Sequence, residues 1–347
     1  MPETPETPEM NHAGGGRART PVTPVGILGT GSYLPSQVVT NEAVGASAGV
    51  TDEWIVRKTD IHHRRFAEDD EATSDLAAAA ARGALADAGV RVADLSLIIV
   101  ATSTPDSPQP PTAALVARLL GAPSTAAAFD LNAVCSGFVY ALVAAQRMIA
   151  EGGGHALVIG ADTYSRITDP RDRRTRVLFG DGAGAVVLGP ARGGRRLAAT
   201  RLLTLSEGHD LVSVPAGGSR LGVSAETLER GLHYFAMDGR GVRDIVASKF
   251  PETLDAFLDE TGVGKEEISH IVPHQGNGVM LGELEKELGF PLARMHTTVR
   301  EYGNTGAASI PVTLDAAVRR GELRPGEKVL LTAFGGGFSF GYALVEW

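Results

Sequence analysis

The chain has 347 residues, 43% of them hydrophobic and 21% charged, and carries a formal net charge of −9. That length and composition call for one large or two closely packed globular domains, and an acidic chain offers no broad basic face to a nucleic-acid backbone, so no nucleic-acid partner is expected. Its longest apolar runs, such as Leu97 to Ala101 and Ala156 to Ile159, fall far below the roughly 20 residues of a membrane-spanning helix, so no membrane partner is expected either.

Residues 1–24 repeat Pro-Glu-Thr and then pass through Gly14, Gly15 and Gly16. They lack the basic start and apolar centre of a signal peptide and are expected to form a disordered extension. From Val25 onward, short apolar or β-branched runs alternate with Ala-rich segments of helical spacing, the pattern of an α/β fold with crossover helices. A helix is predicted over 74–88, capped by Ser74 and ended by Gly89, followed by a strand over 95–102. After the loop STPDSPQPP come a helix, the strand AAAFDL, a helix starting near Cys135 and the strand HALVIGA. The order then recurs. A helix over 250–261 ends at Gly262 and leads to a strand over 268–272, the loop PHQGN and the helix VMLGELEKEL. The short segment ARMHTTV, a helix starting near Asn304 and the strand EKVLLTAF follow. Each series closes on a glycine-rich turn and an apolar strand, FGDGAGAVVL at 179–188 and FGGGFSFGYALVEW at 334–347. The chain therefore reads as two duplicated halves, 25–190 and 191–347, in which Cys135 and Asn304 start equivalent helices and His274 follows an equivalent strand.

The sole cysteine, Cys135, excludes an intramolecular disulfide and fits a reducing, cytoplasmic setting. At a helix start the free amides and macrodipole favour a thiolate, although a lone cysteine is more often a small buried hydrophobe. The following Ser136-Gly137 pair lets a ligand approach closely. His274, in VPHQGN, sits at a strand-to-loop transition where a neutral imidazole can exchange a proton; most histidines are structural or solvated. Asn304, in YGNTGAASIP, taken alone reads as a helix cap. The run Gly335–Gly337 serves either as a tight turn or as a source of backbone amides for an oxyanion hole shared with Cys135. Gly180, Gly182 and Gly184 precede a strand where a dinucleotide fingerprint needs a helix, and are assigned to packing.

Together with GTGSYLP at 29–35, TDEWIVRKTDI at 51–61 and FGDGAGA, these segments resemble the β-ketoacyl-acyl carrier protein synthase III family of the thiolase superfamily, from about Val25 to Trp347. Within it, ATSTPDSPQPPTAA, YFAMDGR and HQGNGVML are most similar to the priming ketosynthases of bacterial type II aromatic polyketide pathways. The resemblance implies a thiolase-like five-layer α-β-α-β-α fold and a homodimer. It also implies an acyltransferase without metal or cofactor, acyl-CoA being a substrate. Cys135 would take the acyl group from acyl-CoA, and His274 and Asn304 would stabilise the enolate formed when malonyl-acyl carrier protein loses carbon dioxide. The amides of Cys135 and Gly336 would receive the oxyanion of the condensation. For coenzyme A the resemblance points to Trp54 as the adenine-stacking residue, to Lys58 and Arg173 near the nucleotide, and to Gly239 and Asn277 along the pantetheine.

Departures from the family pattern are local. Gly276 and Ser136 stand where alanine is usual, and both are small. Val279 replaces a basic residue used to dock the acidic carrier protein, and Pro110 replaces an aromatic at which the partner subunit lines the acyl pocket, which admits a starter larger than acetyl. Counting excludes a two-cysteine thiolase, and elongating ketosynthases carry a second histidine where Asn304 stands. The remaining alternatives are initiation of fatty-acid synthesis, acyl transfer to a hydroxyl or amine without condensation, and a non-catalytic scaffold, against which the retained nucleophile argues.

Overall fold

In the computed structural model, which describes residues 23–347, two five-stranded sheets organise the chain. The expected disordered extension lies outside the described residues apart from Thr23 and Pro24. The first sheet contains β1 (Val25–Tyr33), β2 (Leu95–Ala101), β3 (Ala127–Leu131), β4 (His155–Thr163) and β5 (Asp181–Pro190), in spatial order β1-β5-β4-β2-β3. The second contains β6 (Arg196–Thr204), β7 (Ile268–Pro273), β8 (Arg294–Met295), β9 (Lys328–Gly335) and β10 (Ser339–Glu346), in the order β6-β10-β9-β7-β8. Raising every label of the first sheet by five gives the second. The directions match too, because β1/β5 and β5/β4 are antiparallel while β4/β2 and β2/β3 are parallel, as are their counterparts. The duplication expected from the sequence is thus present in the topology.

The helices that matter here are α1 (Asp52–Thr59), α2 (Thr73–Ala88), α3 (Thr112–Leu120), α4 (Gly137–Ile149), α5 (Gly239–Thr261), α6 (Gly278–Leu288) and α7 (Ser309–Arg319). Helices α4 and α7 lie between the sheets and touch both, while α2 and α3 cover the outer face of one and α5 and α6 that of the other. This is the α-β-α-β-α layering of the thiolase-like fold. Because the middles of β2 and β4 are covered on both faces, Leu97–Ala101 and Ala156–Ala161 read as apolar runs rather than alternating ones.

The central layer is tight because glycines let backbones meet. A Cβ on Gly160 of β4 would stand 2.3 Å from the Ala307 carbonyl oxygen just ahead of α7, and one on Gly341 of β10 would stand 2.9 Å from Cγ1 of Val139 in α4. Each central helix therefore rests on the sheet of the other half.

Three local expectations are corrected. Helix α2 begins at Thr73, with Asp75 accepting from the Ala72 amide; Ser74 is buried and its hydroxyl donates to Asp106 Oδ2 at 2.7 Å instead of capping. Helix α5 starts eleven residues before the predicted 250, since Asp238 caps it through the Arg240 and Gly241 amides; two glycines in its first turn hid that start. Strand β6 escaped notice because its Arg- and Thr-rich sequence sits half-exposed at a sheet edge.

Replacing Gly160 by Ala is expected to destabilise the fold by roughly 1–3 kcal/mol through overpacking, read as a lower midpoint in urea unfolding. An unchanged midpoint would show that the halves are not in rigid contact there.

Candidate active site

Between β3 and α4 the chain makes a strained turn. Val134 is held at a φ of 49°, a conformation β-branched residues avoid, and one 3₁₀ turn over Val134–Ser136 precedes α4. Asn132 Oδ1 accepts from the Val134 amide at 3.0 Å, and the Ser136 hydroxyl donates to the Ala133 carbonyl at 2.7 Å. The turn presents Cys135 to a cleft. The glycine run of the second half presses against it, since a Cβ on Gly335 would lie 2.7 Å from the Ser136 nitrogen. Cys135 and Gly336 consequently line the same space.

His274 follows β7, where its amide donates to the Thr332 carbonyl at 2.8 Å. Its Nδ1 lies 2.8 Å from Ser309 Oγ, and the ring meets the face of Phe334 edge-on. Ser309 Oγ also accepts from the Gln275 amide at 3.4 Å; in the tautomer assigned here the Ser309 hydroxyl donates to Nδ1 and Nε2 carries the ring proton. Burial pushes His274 down to about 3, which keeps the ring neutral.

Asn304 is pinned by the other half. Its amide donates to the Leu178 carbonyl at 2.8 Å, and its carbonyl accepts from the Gly180 amide at 3.1 Å. Oδ1 accepts from the Gly306 amide at 2.9 Å, and the Nδ2 donor is left for the cleft. Beneath lies Asp162, fully buried at the end of β4. It accepts from the Thr102 hydroxyl, the Ser103 amide and hydroxyl, the Thr104 hydroxyl and, across the interface between halves, the Ala307 amide at 2.7 Å. Burial raises this carboxyl to about 6 despite those donors.

The expected thiolate is not what this environment favours. Burial and the neighbouring Asp162 push the Cys135 thiol up to about 12, and a hydrogen bond from Tyr164 offsets only part of that. A helix start contributes about 0.3–1 kcal/mol to an anion, which is less than the cost of desolvating it, and the 3₁₀ turn separates Cys135 from the α-helix proper.

The cleft has a volume of about 1190 Å³ and brings together Cys135, His274, Asn304 and Gly336 with every residue expected to meet coenzyme A: Trp54, Lys58, Arg173, Gly239 and Asn277. The Arg173 guanidinium stands 6.0 Å from the Trp54 ring centre, so an entering aromatic ring must part the two. Asn277 contributes wall more than donors, because Oδ1 caps α6 through the Met280 amide and Nδ2 donates to the Lys58 carbonyl at 3.2 Å. Arg57, Lys58, Arg173 and Arg240 also face the cleft without an acidic partner among the described residues, an arrangement suited to phosphates. Sequence reasoning missed Asp162 and Tyr164; a carboxylate inside the apolar run HALVIGADT was the available signal for the first. Among the described residues, no group of three or more His, Cys, Asp or Glu could hold a metal ion, and no helix is long and apolar enough to cross a membrane.

The layered fold and the meeting of a thiol, a neutral imidazole and an amide define a condensing enzyme. The profile of 3-oxoacyl-[acyl-carrier-protein] synthase III matches residues 129–205, and that of its C-terminal part matches residues 258–347. The chain is 58% identical, over 92% of its length and 98% of the relative's, to acetoacetyl CoA synthase NphT7 of Streptomyces sp. (strain CL190). It is 44% identical to the β-ketoacyl-[acyl-carrier-protein] synthase III of Clostridioides difficile (strain 630), covering 94% of this chain and 99% of that one. The crystal structure of the priming β-ketosynthase from the R1128 polyketide biosynthetic pathway superposes with a TM-score of 0.86 at 32% identity, covering 95% and 98% of the two chains. The chain belongs to the 3-oxoacyl-[acyl-carrier-protein] synthase III family.

The neutral site has a measurable consequence. Alkylation of Cys135 by iodoacetamide is expected to accelerate about tenfold per pH unit between about pH 7 and 9, because the thiolate fraction rises in that proportion below the thiol's pKa. A plateau near neutrality would mean a stabilised thiolate. His274 is expected to show no titration in imidazole NMR spectra above about pH 4; a midpoint near 6.5 would place it in water.

Proposed function

We propose that the chain joins an acyl group carried on Cys135 to a malonyl thioester by decarboxylative Claisen condensation. In the first half-reaction the Cys135 sulfur attacks the carbonyl of an acyl-CoA. The thiol proton passes to the departing coenzyme A thiol, and an acyl-Cys135 thioester remains. In the second, the malonyl thioester loses carbon dioxide and its electrons form an enolate, whose oxygen meets His274 Nε2–H and Asn304 Nδ2–H. The enolate carbon attacks the acyl-Cys135 carbonyl. The resulting oxyanion meets the amides of Cys135 and Gly336, and collapse expels the Cys135 sulfur, which takes up one proton. The products are a 3-oxoacyl thioester, carbon dioxide and coenzyme A, with no cofactor required.

One observation carries this reading: two neutral donors from the second half converge on a thiol from the first, in one cleft. An enolate needs donors that stabilise its oxygen without protonating its carbon, and a charged imidazolium would quench it.

The carrier of the malonyl group separates two versions. The family description supports malonyl-acyl carrier protein. Malonyl-CoA is favoured by the 58% identity to a relative named for acetoacetyl CoA and by Val279, which is exposed at the cleft where the family resemblance expects a basic residue that docks the carrier protein. We adopt malonyl-CoA, with release of a 3-oxoacyl-CoA. The homodimer implied by family resemblance is part of the proposal and is read from the mass in solution.

Mass spectrometry of the enzyme after acetyl-CoA, and of the products after either malonyl donor, tests both versions. An acetyl adduct on Cys135 and faster turnover with malonyl-CoA than with the carrier-protein form are expected. The reverse preference would restore the carrier protein, and a missing adduct would sink the mechanism. Asn304→Ala is expected to cut condensation about 100-fold and to slow acetyl loading far less; equal loss in both steps would remove Asn304 from enolate stabilisation.

A further inference from the structure

Two histidines that the proposed reaction does not use form a buried chain with two carboxylates at the β8 edge of the second sheet. His270 of β7 and His296, just past β8, are 7% and 2% exposed, and His270 Nδ1 lies 2.9 Å from His296 Nε2. Each outer nitrogen faces an acid. His270 Nε2 lies 2.9 Å from Glu327 Oε2, and His296 Nδ1 lies 3.2 Å from Glu322 Oε2. Glu322 Oε1 meets Arg294 at 2.8 Å and Arg320 at 3.1 Å, whereas its Oε2 is buried and finds no well-aligned hydrogen bond. Arg324 donates its amide to Glu327 Oε2 at 2.6 Å, and the neighbouring Lys328 pairs with Glu267 at 2.5 Å. A ring nitrogen that faces a carboxylate carries a hydrogen, since a lone pair there would meet negative charge, and two ring nitrogens at 2.9 Å need one hydrogen between them. The chain therefore calls for three hydrogens on two rings, one more than two neutral imidazoles hold. Burial and the neighbouring His270 push His296 down to about 4, which leaves the additional hydrogen on His270 Nδ1, with His296 neutral and protonated at its own Nδ1.

The chain reaches the active site through Gln275, which follows His274 and is fully buried. Its Nε2 donates to the His296 carbonyl at 3.2 Å and to the Pro273 carbonyl at 2.8 Å, and its Oε1 accepts from the Thr298 and Val299 amides at 2.9 and 3.2 Å. Those amides open the short helix Val299–Tyr302, after which Gly303 leads to Asn304. One side chain thus spans the approach to both His274 and Asn304, and its far end rests on the backbone of His296. We propose that His270 and His296 share one proton beyond their neutral complement and that this proton locks the segment from Arg294 to Val299, which makes the pair positioning residues for His274 and Asn304, on the reading of those two as the enolate donors. When rising pH removes the shared proton, a lone pair faces either the partner ring or Glu322. The segment then relaxes, and the two donors lose their common geometry.

The test separates the two half-reactions between about pH 6 and 10. Acyl-Cys135 formation from acetyl-CoA is followed by intact mass, and condensation is started from the preformed acetyl enzyme with malonyl-CoA, in the unmodified chain, Glu322→Gln and His296→Leu. Condensation by the unmodified chain is expected to fall about tenfold with a one-proton dependence as the pair titrates, while loading does not follow that fall. In Glu322→Gln the amide oxygen still accepts from the arginines and the amide hydrogen meets His296 Nδ1, so two neutral rings complete the chain. That variant is expected to match the unmodified rate near the bottom of the range and to keep it at the top. His296→Leu is expected to condense about tenfold more slowly throughout and to load acetyl within about twofold of the unmodified chain. Nitrogen-15 imidazole spectra at about pH 7 are expected to show three protonated ring nitrogens in the pair. Two protonated nitrogens, or an alkaline fall that persists in Glu322→Gln, would overturn the proposal while leaving Cys135, His274 and Asn304 in their roles. Equal changes in loading and condensation in His296→Leu would overturn the positioning role. Should that variant fail to fold, the spectra and Glu322→Gln decide. Normal condensation by Asn304→Ala, with three protonated nitrogens present, would overturn the donor reading and the positioning role with it.

Discussion

The contact between the two halves beneath Asp162 is the constraint on which the site depends. Asp162 ends a strand of the first sheet, holds the loop after β2 through Thr102, Ser103 and Thr104, and receives the Ala307 amide from the segment that links Asn304 to α7. Gly160, one turn of the pleat away, allows the Ala307 carbonyl to approach the same strand. A buried carboxylate is costly unless its oxygens are satisfied; here the satisfaction comes from both halves, so the two sheets lock in one register. Asn304 is fixed as a consequence, with its backbone bridged to Leu178 and Gly180 of the first half and its side chain set by Gly306.

The same burial decides the chemistry. It pushes the Cys135 thiol up and His274 down, so both groups sit in their neutral forms. A thiolate–imidazolium pair, the arrangement of many cysteine nucleophiles, is therefore not the resting state. Neutral donors suit an enolate, and Ser309 sets which imidazole nitrogen faces the cleft. In the proposed reaction the cost falls on acyl loading, where the thiol must lose its proton as the carbon–sulfur bond forms. The strained Val134 turn presents the sulfur to the cleft.

Much of this was legible in the chain. The alternation of apolar runs with Ala-rich segments gave the α/β class, and its recurrence gave the two halves, because parallel strands covered on both faces leave unbroken apolar runs such as LIIVA at 97–101. Cys135, His274 and Asn304 were legible from motif context, and the structure brings them to one cleft with the residues assigned to coenzyme A. What escaped were effects of packing. Burial reverses the thiolate expected at a helix start. Two glycines conceal the first turns of α5, and Ser74 turns to Asp106 instead of capping α2.

Decarboxylation without the thiol tests the central claim most directly. If His274 and Asn304 form an enolate site independent of the sulfur, folded Cys135→Ala should release carbon dioxide from malonyl-CoA and leave acetyl-CoA, the enolate taking up a proton. Removing both donors in addition should abolish that release. A folded Cys135→Ala variant that releases no carbon dioxide, or release undiminished after both donors are removed, would contradict the account.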